Sequence, residues 1–486
     1  MPRITNRTGV VLLALLAVLG SAPPVHADII SAFQDYKKGD YPHAFQEFLA
    51  LAELGQPLAQ FDVASMYEAG QGTQANEVAA YAWATLAAAN GEARGKQLAD
   101  EIRPHLAPAS EQAAAAVVAA YTDAALQQTL LPDLSDGPPV IAPDPALDCG
   151  GRKALKMWDE PAAHRVHVQG TIFVEFTLMP DGSATFPRII EAVPAGVFET
   201  VVREMVLRSK FSREPGSAPV QCMLPYNFLF VDQRIGGARD TMEDFEAELG
   251  YRTDLVKLAE NGAPNAQLVY GLLLDGPFKE EVDTPEGSKK GRNAGLSWLI
   301  KAAQAGEPAA QSKVAYSLLE GDGCRRDEVK GLKWLRTAAE QNEPNADITL
   351  AMRLLRGNPS AAQVTEAKGW LERAAALPED DGIPNSSQDA RLLLAAVLAA
   401  TPEASLRDPS RALQLLKDVH DVDADPTPSD IRAAAQAAEG DYSDAVRSEQ
   451  AALSSAGQLG WDLSPLQQRL SLYESGKPWF GSLVPF

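Results

Sequence analysis

Cysteine is scarce in this chain. Cys149, Cys222 and Cys324 are the only three in 486 residues, too few for a small disulfide-stapled scaffold. Positive charge is also short: 43 Lys and Arg face 65 Asp and Glu, for a formal net charge of −22. Phosphate backbones and anionic lipid surfaces need clustered Lys and Arg, so nucleic-acid binding is disfavoured. The apolar run Gly9–Gly20 is about a dozen residues, below the roughly 20 that a membrane-spanning helix requires, and no later segment approaches that length. Residues 28–486 hold no Gly-Lys-Ser/Thr phosphate loop, no nucleophile elbow and no His-Glu-x-x-His. His164 and His167 lie near Cys149 in sequence but lack a Cys-x-x-Cys or fixed acidic companion, and His43 and His105 stand isolated. The reading is therefore of no catalytic residue, no metal and no cofactor.

The first residues do carry information. Arg3 and Arg7 precede the apolar run, and Val25-His26-Ala27 offers a small-residue cleavage site. That is the pattern of a secretory signal peptide over residues 1–27, and it predicts a mature chain beginning at Asp28, in the periplasm, with no stable membrane insertion after cleavage. In an oxidising compartment Cys149 and Cys222 are the expected pair, because they bracket one compact segment; closing such a loop contributes roughly a few kcal/mol. Cys324 is then left over. The alternative is three free buried thiols.

Internal repetition organises the rest. Four turns superpose: Gly55-Gln-Pro57-Leu-Ala59, Gly262-Ala-Pro264-Asn-Ala266, Gly306-Glu-Pro308-Ala-Ala310 and Asn342-Glu-Pro344-Asn-Ala346. An Ala precedes each by three residues: Ala52, Ala259, Ala303 and Ala339. Gly or Asn ends one helix in the left-handed conformation and Pro opens the next. Trp298, Trp334 and Trp370 recur every 36 residues, each followed by Leu and then an Ala-Ala pair, and Trp83 holds the matching offset before Gly91. Gly70, Gly321 and Gly357, fifteen residues beyond an aligned turn, mark the other connection within a unit. A helix pair of this size cannot bury its apolar face alone, so units stack, with Ala allowing close approach and Trp filling the gaps. The fold class is mainly α, an α-solenoid.

The segments Tyr67-Glu-Ala-Gly70-Gln-Gly72 with Ala80-Tyr-Ala-Trp83, and Leu318-Leu-Glu-Gly321-Asp-Gly323 with Gly331-Leu-Lys-Trp334-Leu, resemble Sel1-like repeats, relatives of tetratricopeptide repeats. The resemblance covers residues 33–125 and about 250–420. Beyond it, Ala433–Ala438, Gly440-Asp-Tyr442 and Ala445–Ala456 read as a closing helix pair. It implies a scaffold that holds proteins or peptides.

Between the helical blocks, residues 131–148 carry five prolines in eighteen positions and cannot continue a helix. The period then changes from 3.6 to 2. Residues 170–178 alternate, Pro180-Asp181-Gly182 turns, and 183–193 return as a second strand; 197–208 form an amphipathic helix and 220–231 a third strand. Gly170, Val174, Phe176, Asp181, Gly182 and Lys210-Phe211 resemble the C-terminal domain of TonB, although Trp158-Asp-Glu-Pro161 replaces that family's usual Tyr-Pro. The resemblance implies peptide docking along a sheet edge by β-augmentation, here at Gln221, Met223, Tyr226, Phe228 and Phe230.

The domains expected are a signal peptide (1–27), N-terminal repeats (28–130), a Pro-rich linker (131–148), a TonB C-terminal-like α+β domain (149–235) and a C-terminal Sel1/TPR-like solenoid (240–486). The function expected is a non-catalytic periplasmic adaptor for envelope proteins or peptides, contacting them through the solenoid groove and the sheet edge. The alternatives are a TonB-type transducer that retains its signal as an anchor, and a peptidoglycan-associated enzyme or binding module. An 18-residue linker too short to cross a periplasm argues against the transducer.

Overall fold

The computed structural model describes residues 27–134, 170–193, 195–213, 217–228, 255–275, 294–377, 386–417, 419 and 424–484. Two compact units divide the chain between Ala119 and Ala120. The first holds α1 (Ile29–Lys38), α2 (Tyr41–Glu53), α3 (Pro57–Ala69), α4 (Glu77–Ala89), α5 (Ala93–Ile102) and nearly all of α6 (Pro108–Ala120). Asp28, the expected first mature residue, caps α1 by accepting the Ile30 and Ser31 amides.

The second unit opens with α7 (Asp123–Thr129) and continues through β1 (Gly170–Leu178), β2 (Ala184–Val193), α8 (Glu199–Leu207) and β3 (Val220–Phe228). Helices follow in hairpins: α9 (Leu255–Glu260), α10 (Pro264–Asp275), α11 (Ala294–Gln304), α12 (Pro308–Glu320), α13 (Glu328–Glu340), α14 (Pro344–Leu354), α15 (Ala361–Ala376) and α16 (Ser386–Ala400). The unit closes with α17 (Pro409–Leu415), α18 (Thr427–Glu439), α19 (Tyr442–Gln458) and α20 (Ser464–Glu474). The boundary between units falls ahead of the expected position at residue 130. The reason is a set of polar contacts to α7 and the residues that follow it: the Trp334 indole donates to Leu130 O (3.0 Å), and the Lys330 ammonium donates to Gln127 O (2.6 Å) and Leu131 O (3.1 Å).

The four aligned turns are left-handed as the sequence requires, with φ of 92° at Gly55, 87° at Gly262, 95° at Gly306 and 62° at Asn342. Asn is the residue besides Gly that tolerates this region at least cost. A side-chain clamp that the sequence reading missed repeats with the turns. Gln60, Gln267 and Gln311 each donate to the carbonyl eight residues back, at Ala52, Ala259 and Ala303, over 3.0–3.1 Å. These carbonyls belong to a helix's last turn, where no intrahelical donor exists. Asn90 and Gln341 then donate to the Gln60 and Gln311 side chains at 2.9 and 2.7 Å. In the fourth unit Asp347 stands at the Gln position, and Arg373 donates both to Ala339 O and to Asp347. Trp83 and Trp334 are buried and Trp298 and Trp370 half-buried.

The sheet is antiparallel with strand order β2-β1-β3. Proline sits in both outer strands, at Pro187 and Pro225, and is absent from the central β1, as the missing N–H demands. One face, with Ile172, Val174, Phe176 and Leu178, packs under Val202 and Val206 of α8. The turn into β2 needs Gly182: its φ is 79°, and a Cβ there would lie 2.1 Å from Phe211 O.

Candidate interaction surface

The other sheet face is buried as well. Thr171, Phe173, Glu175 and Thr177 are no more than 5 % exposed. Their cover is the solenoid itself, through α12, α14 and α16, the first helix of three successive units. An amphipathic helix normally buries one stripe. Here Ala310–Leu319 of α12 and Asn345–Met352 of α14 are buried without a break, polar residues included, because the sheet covers the side that would otherwise face water.

Polar groups of the sheet and of the helices are joined across this interface, as burial favours. Arg188 of β2 is fully buried; it pairs with Glu175 at 2.8 Å and donates to Tyr316 Oη (3.3 Å) and Thr349 Oγ1 (3.1 Å). Arg203 of α8 grips Asp389 of α16 through two parallel bonds of 2.9 and 2.8 Å, and adds a third to Pro187 O. Asn345 donates to Ile190 O at 3.0 Å, Arg356 to the Gln221 side-chain oxygen at 2.5 Å, and the Lys313 ammonium lies 3.7 Å from the Phe173 ring centre.

A bulge adds an apolar plug. Thr177 pairs with Thr185 and Glu175 with Arg188, so β2 carries one additional residue at that point. Phe186 takes φ of 52° there and sends its ring into the solenoid core beside Leu483 and Val484. The segment that follows α20 lies across the same region: Gly481 N donates to Ala400 O (2.8 Å), and Arg407 lies 3.7 Å from the Phe480 ring centre. Cavities of about 390 and 480 Å³ flank Ser482–Val484.

A solenoid groove is expected from the sequence without being placed on particular helices; the surface of α12, α14 and α16 is occupied by the chain's own sheet. Of the expected docking strand, Gln221 is buried and tied to Arg356, Met223 is half-buried, and Tyr226 is buried in the core beneath α8. The Phe228 backbone ends β3, while Phe230 lies outside the described residues. Among the described residues β3 is an edge of the sheet. Cys222 is disulfide-bonded and Cys324 is a free thiol whose pKa burial pushes up to about 12. Cys149, its expected partner, and His164 and His167 lie outside the described residues. His43, isolated in sequence, is brought beside Asp35 and Glu47. Among the described residues no helix is long and apolar enough to cross a membrane.

Comparison with known proteins supports the repeat. The family profile of the Sel1 repeat matches residues 57–92, 285–307, 308–343 and 346–378. Among solved structures, a Sel1 repeat protein from Oxalobacter formigenes is 22% identical, with a TM-score of 0.32 over 49% of this chain and 93% of that one. A protective antigen present in uropathogenic Escherichia coli strains and displaying an SLR fold is 14% identical, with a TM-score of 0.33 over 92% of this chain and 79% of that one. No curated protein matches. The chain carries Sel1 repeats, a type of repeat that commonly serves as a protein-interaction scaffold.

Proposed function

We propose that this chain is an exported, non-catalytic adaptor of the Gram-negative cell envelope that holds protein or peptide partners, with the β3 edge as a principal contact. The observation that carries the reading is the seating of the sheet on α12, α14 and α16. It takes that part of the Sel1 surface out of use and fixes the sheet rigidly, so that β3 is presented on a solid support rather than on a tethered module. Unpaired backbone groups on an edge strand recruit a further strand, with side chains on alternate positions supplying selectivity. The half-buried Met223 and Leu224 and the exposed Pro225 line that edge; Pro225 lacks a donor, which restricts the register a partner strand can adopt.

The TonB-like reading of residues 149–235 supports the same mode, as a docking surface rather than an energy transducer. Export rests on Arg3, Arg7, the apolar run and the Val25-His26-Ala27 site. Crosslinking in intact periplasm followed by mass spectrometry tests the proposal. Recovery of one or a few envelope proteins is expected; recovery of none contradicts it. N-terminal sequencing of the exported chain gives Asp28 if the signal is removed, and Met1 if it is kept as an anchor.

A further inference from the structure

Helices α1 and α2 meet through a carboxylate that is buried without full compensation. Glu47 is 1 % exposed; its Oε1 accepts from Ser31 Oγ at 3.0 Å, and its Oε2 has no hydrogen-bond partner. A buried carboxylate oxygen left this way costs free energy unless something positive reaches it. His43 stands one turn before Glu47 on the same face of α2, and the tight turn at Gly39 folds Asp35 of α1 back against both. Ligand atoms from Asp35, His43 and Glu47 all lie within 4.8 Å of one another.

The geometry points to a divalent metal site formed by Asp35, His43 and Glu47, with Zn²⁺ as the ion the donor set fits best. Two carboxylate oxygens and one imidazole nitrogen are a mixed hard and intermediate set, suited to first-row divalent ions, and three protein ligands leave a fourth position for water. The charge balances: two carboxylates offset the dication once His43 is neutral. Two nitrogen groups approach Asp35. The His43 Nδ1 lies 2.5 Å from Asp35 Oδ2, and the Lys38 ammonium 2.8 Å from Asp35 Oδ1. Lys38 is largely exposed and free to yield, whereas the Glu47 side chain is already fixed. Bound metal would rivet α1 to α2 and so order the start of the first unit.

The test uses the full chain without an affinity tag, stripped with a chelator and titrated with Zn²⁺ in competition with a chromophoric chelator. One saturable site per chain is expected. Its affinity should fall at least about tenfold in Glu47→Gln and in His43→Ala, the usual effect of losing one ligand, and stay unchanged in His105→Ala. Glu47→Gln keeps the Ser31 contact, and circular dichroism of each variant confirms that the fold survives. Zn²⁺ should also slow amide exchange in α1 of the parent chain but not of Glu47→Gln. Absence of saturable binding overturns the site, as does binding that is equal in the parent, Glu47→Gln and Asp35→Asn chains, which would mean adventitious surface binding only.

Discussion

Replacing Asp389 by Ala should release the sheet from the solenoid. Asp389 and Arg203 are 5 % and 8 % exposed, and two bonds of 2.9 and 2.8 Å join them across the interface. An ion pair exposed to water would be worth about 0–1 kcal/mol. Removal of one partner from a buried pair leaves an uncompensated guanidinium and costs about 3–5 kcal/mol. The third Arg203 bond, to Pro187 O, holds the guanidinium in place rather than letting it swing to water, so the upper part of that range applies. Substitution of both residues, Arg203→Met with Asp389→Leu, removes the stranded charge and should recover most of the loss. Because the chain has two compact units, a single global unfolding energy is not well defined. Local opening is the quantity to measure: amide exchange of β2 and α8, followed by mass spectrometry, for the parent, each single variant and the double variant. A coupling energy of about 2 kcal/mol or more is expected. A loss below about 1 kcal/mol in Asp389→Ala, with unchanged exchange in β2, would refute the docking.

Three further outcomes follow from the same structure. Gln311→Ala removes the donor to Ala303 O and the acceptor for Gln341, and should weaken the α11–α14 region by about 2 kcal/mol, read from exchange in those helices. Burial pushes the Glu343 pKa up to about 7 and that of Glu191 up to about 8, with the Glu343 carboxylate adding to the rise at Glu191. An acid whose folded pKa is raised favours the fold fully below its unfolded value of about 4.3, and the benefit is lost as pH climbs through the folded value. The resistance of α12 and α14 to urea should therefore decline between about pH 5 and pH 8, and Glu343→Gln, which can still accept from Ala346 N, should flatten that slope. Unreduced protein in denaturant should show one thiol per chain, Cys324; three would eliminate the Cys149 to Cys222 bridge.

The repeat was legible because its signals are local. A left-handed turn tolerates Gly and Asn, a first helical turn tolerates Pro, and both constraints sit within five residues of each other. The limits of β1, β2, α8 and the described part of β3 were also legible, from alternation and from the Asp181-Gly182 turn. The occupant of the groove was not. Arg188 and Tyr316 are 128 positions apart and Arg203 and Asp389 are 186 apart, and no short-range pattern announces such a pairing. Thr171, Glu175 and Thr177 carry the polarity that an antiparallel strand usually shows to water, yet here they are buried, and Glu175 is paired with Arg188 of the neighbouring strand. The Phe186 bulge hides behind an ordinary strand sequence. His43 and Glu47 could have been noticed, since a spacing of four puts both on one helical face, but Asp35 joins them only through the turn at Gly39.

The central claim is that partners meet the β3 edge while α12, α14 and α16 stay covered. A photo-crosslinking residue placed at Met223, compared in periplasm with one at the exposed Thr365 of α15, tests it most directly. The account predicts adducts to an envelope protein from position 223, reduced when a proline replaces Asn227, whose backbone N–H shares the outward side of Pro225, and removes a donor from the open edge. Adducts from position 365 alone, with none from 223, would contradict it.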